Sequence, residues 1–166
     1  MPLTTPATKI NAVHNLKAEI VLHGETYEES YKEALRISEN EGLTFIHPFD
    51  DPEVIAGQGT AAKEMIEECE NLDAVLSPIG GGGLMSGTCI STRHLLPNAL
   101  IFGTEPEGAD DAARSLESGE YVPQTGPDTI CDGLLTSMGE ITWPIIKSHV
   151  EEIIRAVSYT HLRAHE

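Results

Sequence analysis

The residues of this chain best placed to do chemistry are four consecutive glycines, Gly80 to Gly83. They follow an apolar run, residues 74–79, that is typical of a short buried strand, and they precede a segment starting at Leu84 that predicts a helix. Glycine lets the backbone turn tightly and approach a ligand closely. The free N–H groups at the start of a helix favour an anion. The pattern therefore predicts a phosphate- or carboxylate-binding loop between a strand and a helix.

The known nucleotide-binding motifs match this loop poorly. A P-loop would end in Gly-Lys-Ser/Thr, but Leu84 follows Gly83 here. A Rossmann loop would be followed by an acidic ribose partner about 20 residues on, and Glu105 falls near that distance. A dinucleotide site is therefore one alternative. A plain strand–helix turn is another, although four glycines cost more backbone entropy than such a turn requires.

Composition limits the classes of partner. The chain has 166 residues, 40% of them hydrophobic, which is enough for the core of one domain or of parts of two. Its 27 acidic and 10 basic residues give a net charge of −17, which argues against nucleic acids and anionic membranes as partners. No signal-peptide core or membrane-spanning stretch is visible. Three scattered cysteines predict free thiols in a reducing compartment, so we expect a cytoplasmic protein.

The order of elements predicts the fold class. Strands and helices alternate, which favours an α/β fold with a parallel sheet and helices on both faces. The predicted strands are 18–22, 44–46, 74–79, 100–104 and 150–157, and the main helices are 27–40, 52–70, 84–96, 112–118 and 141–146. Gly57 and Gly59 weaken the third of these segments as a helix, and we interpret them as sites of close helix packing. Residues 158–166 change composition abruptly and are expected to be a non-native tail.

Several motifs together resemble the serine/threonine dehydratase family, which includes threonine/serine ammonia-lyases and serine racemase. The first is HPFDDPEVIAGQGT at residues 47–60, followed by the glycine loop. Glu105-Pro106, TICDG at 129–133, SMG at 137–139 and TWPII at 142–146 extend the resemblance over nearly the whole chain up to about residue 157.

The resemblance implies a pyridoxal-phosphate enzyme of fold type II, similar to the tryptophan synthase β subunit. In that family the glycine loop, here Gly80, Gly81, Gly82 and Gly83 closed by Leu84, binds the cofactor phosphate. Phe49 stands where the family places a residue beside the cofactor ring, and Gly133 where its backbone passes near the ring. The implied substrate is a small hydroxy-amino acid such as L-threonine or L-serine, deaminated to a keto acid by a homo-oligomeric enzyme.

The resemblance also implies a Mg²⁺ or Ca²⁺ site. The family motif falls on Glu105, the carbonyl of Ala109 and Asp111. Two carboxylates and a carbonyl, completed by water, would give the all-oxygen shell that a hard cation prefers. The alternative is that Glu105 and Asp111 only cap and charge the N-terminus of the next helix.

The catalytic segments of the family are missing from these residues. The family's Schiff-base lysine lies in a Ser-x-Lys-x-Arg-Gly segment, and none of the five lysines here has that setting: Lys9, Lys17, Lys32, Lys63 and Lys147. The Ser-x-x-Asn-His segment with the catalytic serine and a C-terminal Ser-Gly-Gly-Asn segment are also absent. We therefore expect no catalytic residue in this chain and an internal fragment that is inactive alone.

We expect residues 1–46 to be the C-terminal part of the small domain and residues 47–157 the middle part of the large, cofactor-binding domain. Ser30 stands where racemases have an arginine, which favours an ammonia-lyase over a serine racemase. An alternative of another class is a non-catalytic, anion- or nucleotide-binding α/β module.

Overall fold

The computed structural model describes residues 1–69 and 71–157, so the tail predicted at 158–166 lies outside the described residues. The helices are α1 Ala7–Asn15, α2 Tyr27–Glu41, α3 Pro52–Glu68, α4 Gly83–Leu95, α5 Asp111–Ser118 and α6 Thr142–His149. The strands are β1 Ala74–Pro78, β2 Leu100–Pro106 and β3 Glu152–Ala156. Over the described part of the chain, no helix combines the length and the apolar character that crossing a membrane requires.

The chain divides into two compact units, Met1–Ile46 and His47–Glu166. The first contains α1 and α2, neither of which has a buried residue. Thr26 and Glu29 form a capping box at the start of α2, and Gly42 ends that helix in the left-handed conformation with φ +67°. The start and the end predicted for α2 are therefore confirmed.

The two strands predicted within the first unit, 18–22 and 44–46, are wrong, since the described structure assigns no strand to either segment. A strand is defined by a ladder of hydrogen bonds to a neighbour. The first segment has isolated bonds instead: the Met1 amino group donates to the Val21 carbonyl (2.7 Å), and His23 N–H donates to the Met1 carbonyl (2.9 Å). An apolar pattern indicates an extended backbone but does not supply the pairing partner.

The second unit is built on a parallel sheet of order β1-β2-β3, flanked by helices. The α/β fold class predicted from the sequence is confirmed. Ile101 and Ile153 lie on the buried face of the sheet and belong to one core with residues of the helices, among them Met85, Cys89 and Ile146. The opposite face carries Leu76, Leu100 and Ile154, which are 57%, 47% and 43% exposed.

Helix α3 packs closely on α4. A Cβ built on Gly59 would lie 2.9 Å from the Gly87 carbonyl oxygen, and one built on Gly87 would overlap the backbone of Gly59 and Ile55. Ser91 of α4 donates to the Gly59 carbonyl at 2.8 Å. Close packing is thus confirmed at Gly59 but not at Gly57, where a Cβ would meet open space. This contact fixes α4, the helix that the glycine loop enters.

Candidate functional site

The glycine loop joins the carboxyl end of β1 to the N-terminus of α4. Ile79 N–H donates to the Thr104 carbonyl at 3.0 Å, so the start of the loop is tied to β2. Gly82 is the N-cap of α4 with φ +88°, and as a glycine it has no side chain with which to cap this helix. The first N–H groups of a helix have no partner within the helix. This helix N-terminus can therefore donate its hydrogen bonds to an anion.

Neighbouring groups restrict side chains in the loop, most severely at Gly81, Gly82 and Gly83. A Cβ on Gly81 would overlap the Phe49 ring, and one on Gly83 would lie 2.9 Å from the Phe49 carbonyl oxygen. A Cβ on Gly82 would lie 2.8 Å from the Cβ of Thr142, and one on Gly80 would lie 3.0 Å from the Gly133 carbonyl oxygen. These contacts explain physically why glycine occupies positions 81 to 83, whereas a side chain at position 80 would require its neighbours to shift by a few tenths of an ångström.

The structure brings the predicted loop residues together. Phe49 lies against Gly81 and Gly83, and the Gly133 backbone lies beside Gly80, as the contacts above require. Leu84, the second residue of α4, is half-buried directly after the loop.

Sequence reasoning missed two residues that support the loop. The Asp50 carboxylate accepts hydrogen bonds from the backbone N–H groups of Glu140, Ile141 and Thr142, each at 3.0 Å, and so caps the start of α6. The Thr142 hydroxyl then donates to the Gly81 carbonyl at 2.8 Å. Asp50 was visible in the HPFDDP motif, but its partners lie 90 to 92 residues away, and no local pattern signals them.

A second site lies at the carboxyl end of β2. Glu105 is only 2% exposed, and its carboxylate accepts the N–H groups of Ala112 (3.2 Å) and Ala113 (2.8 Å) in the first turn of α5. Burial, helped by the neighbouring negative charge of Asp111, raises the pKa of Glu105 to about 7 against the lowering effect of the two hydrogen bonds. Glu105 therefore caps the N-terminus of α5.

Asp111, the first residue of α5, is also 2% exposed. Burial raises the pKa of Asp111 to about 6, against a hydrogen bond from the Met138 backbone. Its Oδ2 atom is buried and makes no hydrogen bond within the described part of the chain. An unsatisfied buried oxygen beside a second buried carboxyl group is the chemistry that a hard cation would satisfy.

Among residues 1–69 and 71–157, no group of three or more His, Cys, Asp or Glu side chains is placed to hold a metal ion. A cation at the end of β2 would therefore need a backbone carbonyl and water in addition to the two carboxylates. The predicted carbonyl belongs to Ala109, which is 1% exposed in the turn between β2 and α5.

Comparison with known proteins gives consistent results. A family model described as pyridoxal-phosphate dependent enzyme matches residues 1–164. Serine racemase from Dictyostelium discoideum is 46% identical over 156 residues, covering 93% of this chain and 48% of that protein. L-threonine ammonia-lyase from Thermotoga maritima is 37% identical over 155 residues, covering 93% and 39%. The solved structure of maize serine racemase superposes with a TM-score of 0.94 at 32% identity, covering 98% and 50%. The chain thus spans about half the length, or less, of the relatives it matches.

Proposed function

Since the chain belongs to the family of pyridoxal-phosphate-dependent enzymes, we propose that the Gly80–Gly83 loop binds the phosphate group of that cofactor. The observation that carries the proposal is the N-terminus of α4, whose N-cap residue is a glycine and so supplies no capping side chain. A phosphate group is the ligand that such a helix start favours through its free N–H groups and its dipole.

We further propose that the longer protein represented by this chain is a threonine/serine ammonia-lyase that deaminates hydroxy-amino acids. The bound cofactor would supply an electron sink for the charge that develops at the substrate Cα. The part of this chain would be to hold the phosphate in the loop and to border the ring with Phe49 and the Gly133 backbone. The lysine that carries the cofactor would come from outside these 166 residues, so this chain alone would not catalyse the reaction.

The unit Met1–Ile46 would then belong to the small domain and the unit that follows it to the large one.

A serine racemase is the second candidate, favoured by the 46% identity to the racemase of Dictyostelium discoideum. Ser30 supports the ammonia-lyase instead, because the resemblance places an arginine there in racemases. In this chain the Ser30 hydroxyl donates to the His23 carbonyl at 2.6 Å.

We also propose that Glu105, Asp111 and the Ala109 carbonyl hold Mg²⁺ or Ca²⁺. The support is the buried Oδ2 atom of Asp111, which has no partner in the described residues, beside a second carboxyl group of raised pKa. A divalent cation would compensate the negative charge of these two carboxyl groups, which burial otherwise disfavours. It would join the end of β2 to the start of α5.

The phosphate proposal can be tested by calorimetric titration with pyridoxine 5′-phosphate, whose alcohol group cannot form an imine with any of the lysines. Gly80→Asp places a negative charge in the loop at the position with the widest clearance, 3.0 Å. We expect this variant to bind at least about tenfold more weakly than the unmodified chain, because like charges repel in a poorly solvated site.

Gly57→Asp is the matched control, because it adds the same charge to α3 where a side chain meets open space. It should bind like the unmodified chain, and circular dichroism should show that all three proteins fold. Failure of the folded, unmodified chain to bind, or equal binding by Gly80→Asp, would contradict the proposal. Tighter binding of a dinucleotide than of pyridoxine 5′-phosphate would support the alternative of a nucleotide-binding module.

A further inference from the structure

We propose that Thr142 is a positioning residue that orients the Gly82 N–H group toward the bound phosphate. This inference rests on the proposed function, because it concerns the same loop. Thr142 is the first residue of α6, is fully buried and is 61 residues away from Gly81 in the sequence. Its hydroxyl group is nevertheless in hydrogen-bonding contact with the loop backbone.

The two close contacts of the Thr142 hydroxyl fix the direction of its proton. The oxygen accepts the Gly139 N–H at 2.8 Å and lies 2.8 Å from the Gly81 carbonyl oxygen. A threonine hydroxyl has only one proton to donate. The Gly139 N–H cannot accept it, and the Gly139 carbonyl oxygen is 3.4 Å away, so the proton is directed to the nearer Gly81 carbonyl at 2.8 Å.

The consequence for the loop follows from the planarity of the peptide bond. The Gly81 carbonyl and the Gly82 N–H belong to one peptide unit, and in a trans peptide they point in opposite directions. Holding the carbonyl at Thr142 therefore turns the Gly82 N–H away from Thr142. Without this bond, a run of glycines has little intrinsic preference for one orientation of the peptide plane.

The surroundings hold Thr142 in this place. Asp50 accepts the Thr142 N–H together with two others at the start of α6, which fixes the backbone that carries the hydroxyl. A Cβ on Gly82 would lie 2.8 Å from both the Cβ and the Oγ1 of Thr142, so only glycine permits this approach. Asp50 thus fixes the start of α6, and Thr142 at that start fixes a single peptide unit of the loop.

A merely structural role would give a different result from a positioning role. If the hydroxyl only satisfies two buried backbone groups, its removal would destabilise the fold without changing how the folded chain binds phosphate esters. A bond of the same kind offers a control, because the Ser91 hydroxyl donates to the Gly59 carbonyl at 2.8 Å between α3 and α4, outside the loop.

The test compares Thr142→Val, Thr142→Ser and Ser91→Ala by titration with pyridoxine 5′-phosphate, with circular dichroism to verify folding. We expect Thr142→Val to bind about tenfold more weakly, because the hydrogen bond from Gly82 to a charged group loses its alignment. Thr142→Ser keeps the hydroxyl and should bind within about threefold of the unmodified chain. Ser91→Ala should lose stability but not affinity.

The Gly82 amide resonance gives an independent measurement in the ¹⁵N-labelled chain. It should shift on addition of pyridoxine 5′-phosphate in the unmodified chain and in Thr142→Ser. If the other loop amides shift while that of Gly82 does not, the inference is wrong, even if Thr142→Val fails to fold.

Three other outcomes separate the two proposals. No binding by the unmodified chain would overturn the proposed function itself. Binding by the unmodified chain with equal affinity in folded Thr142→Val would overturn the positioning role alone. An equal loss of affinity in Ser91→Ala would also overturn it, because the effect would then follow from general destabilisation.

Discussion

The glycine loop and the carboxylate pair occupy equivalent places in the fold but have opposite chemistry. Each lies at the carboxyl end of a parallel strand, β1 or the neighbouring β2, and each leads into a helix. Helix α4 has a glycine N-cap, which supplies no capping side chain, whereas Glu105 of the preceding strand accepts the N–H groups of Ala112 and Ala113 in α5. The same kind of turn would therefore favour an anion where no carboxylate accepts the first N–H groups of the helix, and a cation where a carboxylate already accepts them.

The two places also differ in what fixes their structure. The loop is fixed by close contacts that only glycine permits, chiefly with Phe49 and Thr142. The carboxylate pair is fixed by hydrogen bonds to α5 and retains its protons more tightly because it is buried. Added side-chain bulk should therefore disturb mainly the loop. Changes in pH or in charge should alter mainly the stability contributed by the carboxylates.

The largest effect is expected from Gly81→Ala, since its Cβ would overlap the Phe49 ring. The ring or the loop must move, which should lower the free energy of unfolding by about 1–3 kcal/mol. Binding of pyridoxine 5′-phosphate should be lost along with the loop geometry. Urea denaturation and titration measure the two effects.

Gly57→Ala is the matched control for this substitution. It also adds one methyl group, but in open space within a helix, and should stabilise the chain by up to about 1 kcal/mol. Unchanged stability of Gly81→Ala would show that packing does not hold the loop.

The second-largest effect is expected in the pH dependence of the stability of the metal-free chain. The pKa of Glu105 is raised from 4.5 to about 7 and that of Asp111 from 3.8 to about 6. The folded chain thus retains these protons more tightly than the unfolded chain. The stability that they contribute is fully present below the ordinary values and is lost as the pH rises through about 6 and then about 7. Between about pH 5.5 and about pH 8, this loss should reach about 1–3 kcal/mol.

Thermal denaturation of Glu105→Gln at the same two pH values isolates this contribution. The glutamine amide breaks one hydrogen bond to α5, which lowers the free energy of unfolding equally at both pH values. The quantity to compare is therefore the change in stability between the two pH values. The unmodified chain should show the steeper loss, and Mg²⁺ should reverse the loss at the higher pH in that chain alone. Equal slopes would show that Glu105 titrates normally, and a Mg²⁺ effect in both chains would place the cation elsewhere.

How far the sequence predicts these two places depends on how local their determinants are. The loop is contiguous, with a strand before it and a helix after it, so Gly80 to Gly83 could be identified directly. Glu105 and Asp111 could also be identified. The sequence could not show that the Glu105 carboxylate accepts the first N–H groups of α5, because that depends on the direction of the side chain. Asp50 and Thr142 were missed because their partners are distant in the sequence.

Which parts of the fold could be predicted also depends on where the partners of each segment lie. The parallel sheet was predictable because β1, β2 and β3 alternate with helices and pair with one another within the chain. Segments 18–22 and 44–46 have the same apolar character, yet they form no strand, because no ladder partner is available to them in the described structure. Gly59 packs closely on α4 whereas Gly57 does not, a difference that their spacing could not indicate.

The smallest effect is expected from Arg155→Gln, which tests whether the carboxylate pair has a cation of its own. Arg155 lies beside Glu105 in the register of β2 and β3, but its guanidinium group pairs with Asp110 and Glu117. These pairs are partly exposed, so their loss should cost only about 0.5 kcal/mol and should shrink further at high salt. The pH slope of stability should stay that of the unmodified chain, because burial and not Arg155 sets the pKa of Glu105. If the substitution steepens the slope instead, Arg155 stabilises the ionised Glu105, and the contrast between a loop proposed to bind an anion and a carboxylate whose pKa is set by burial no longer holds.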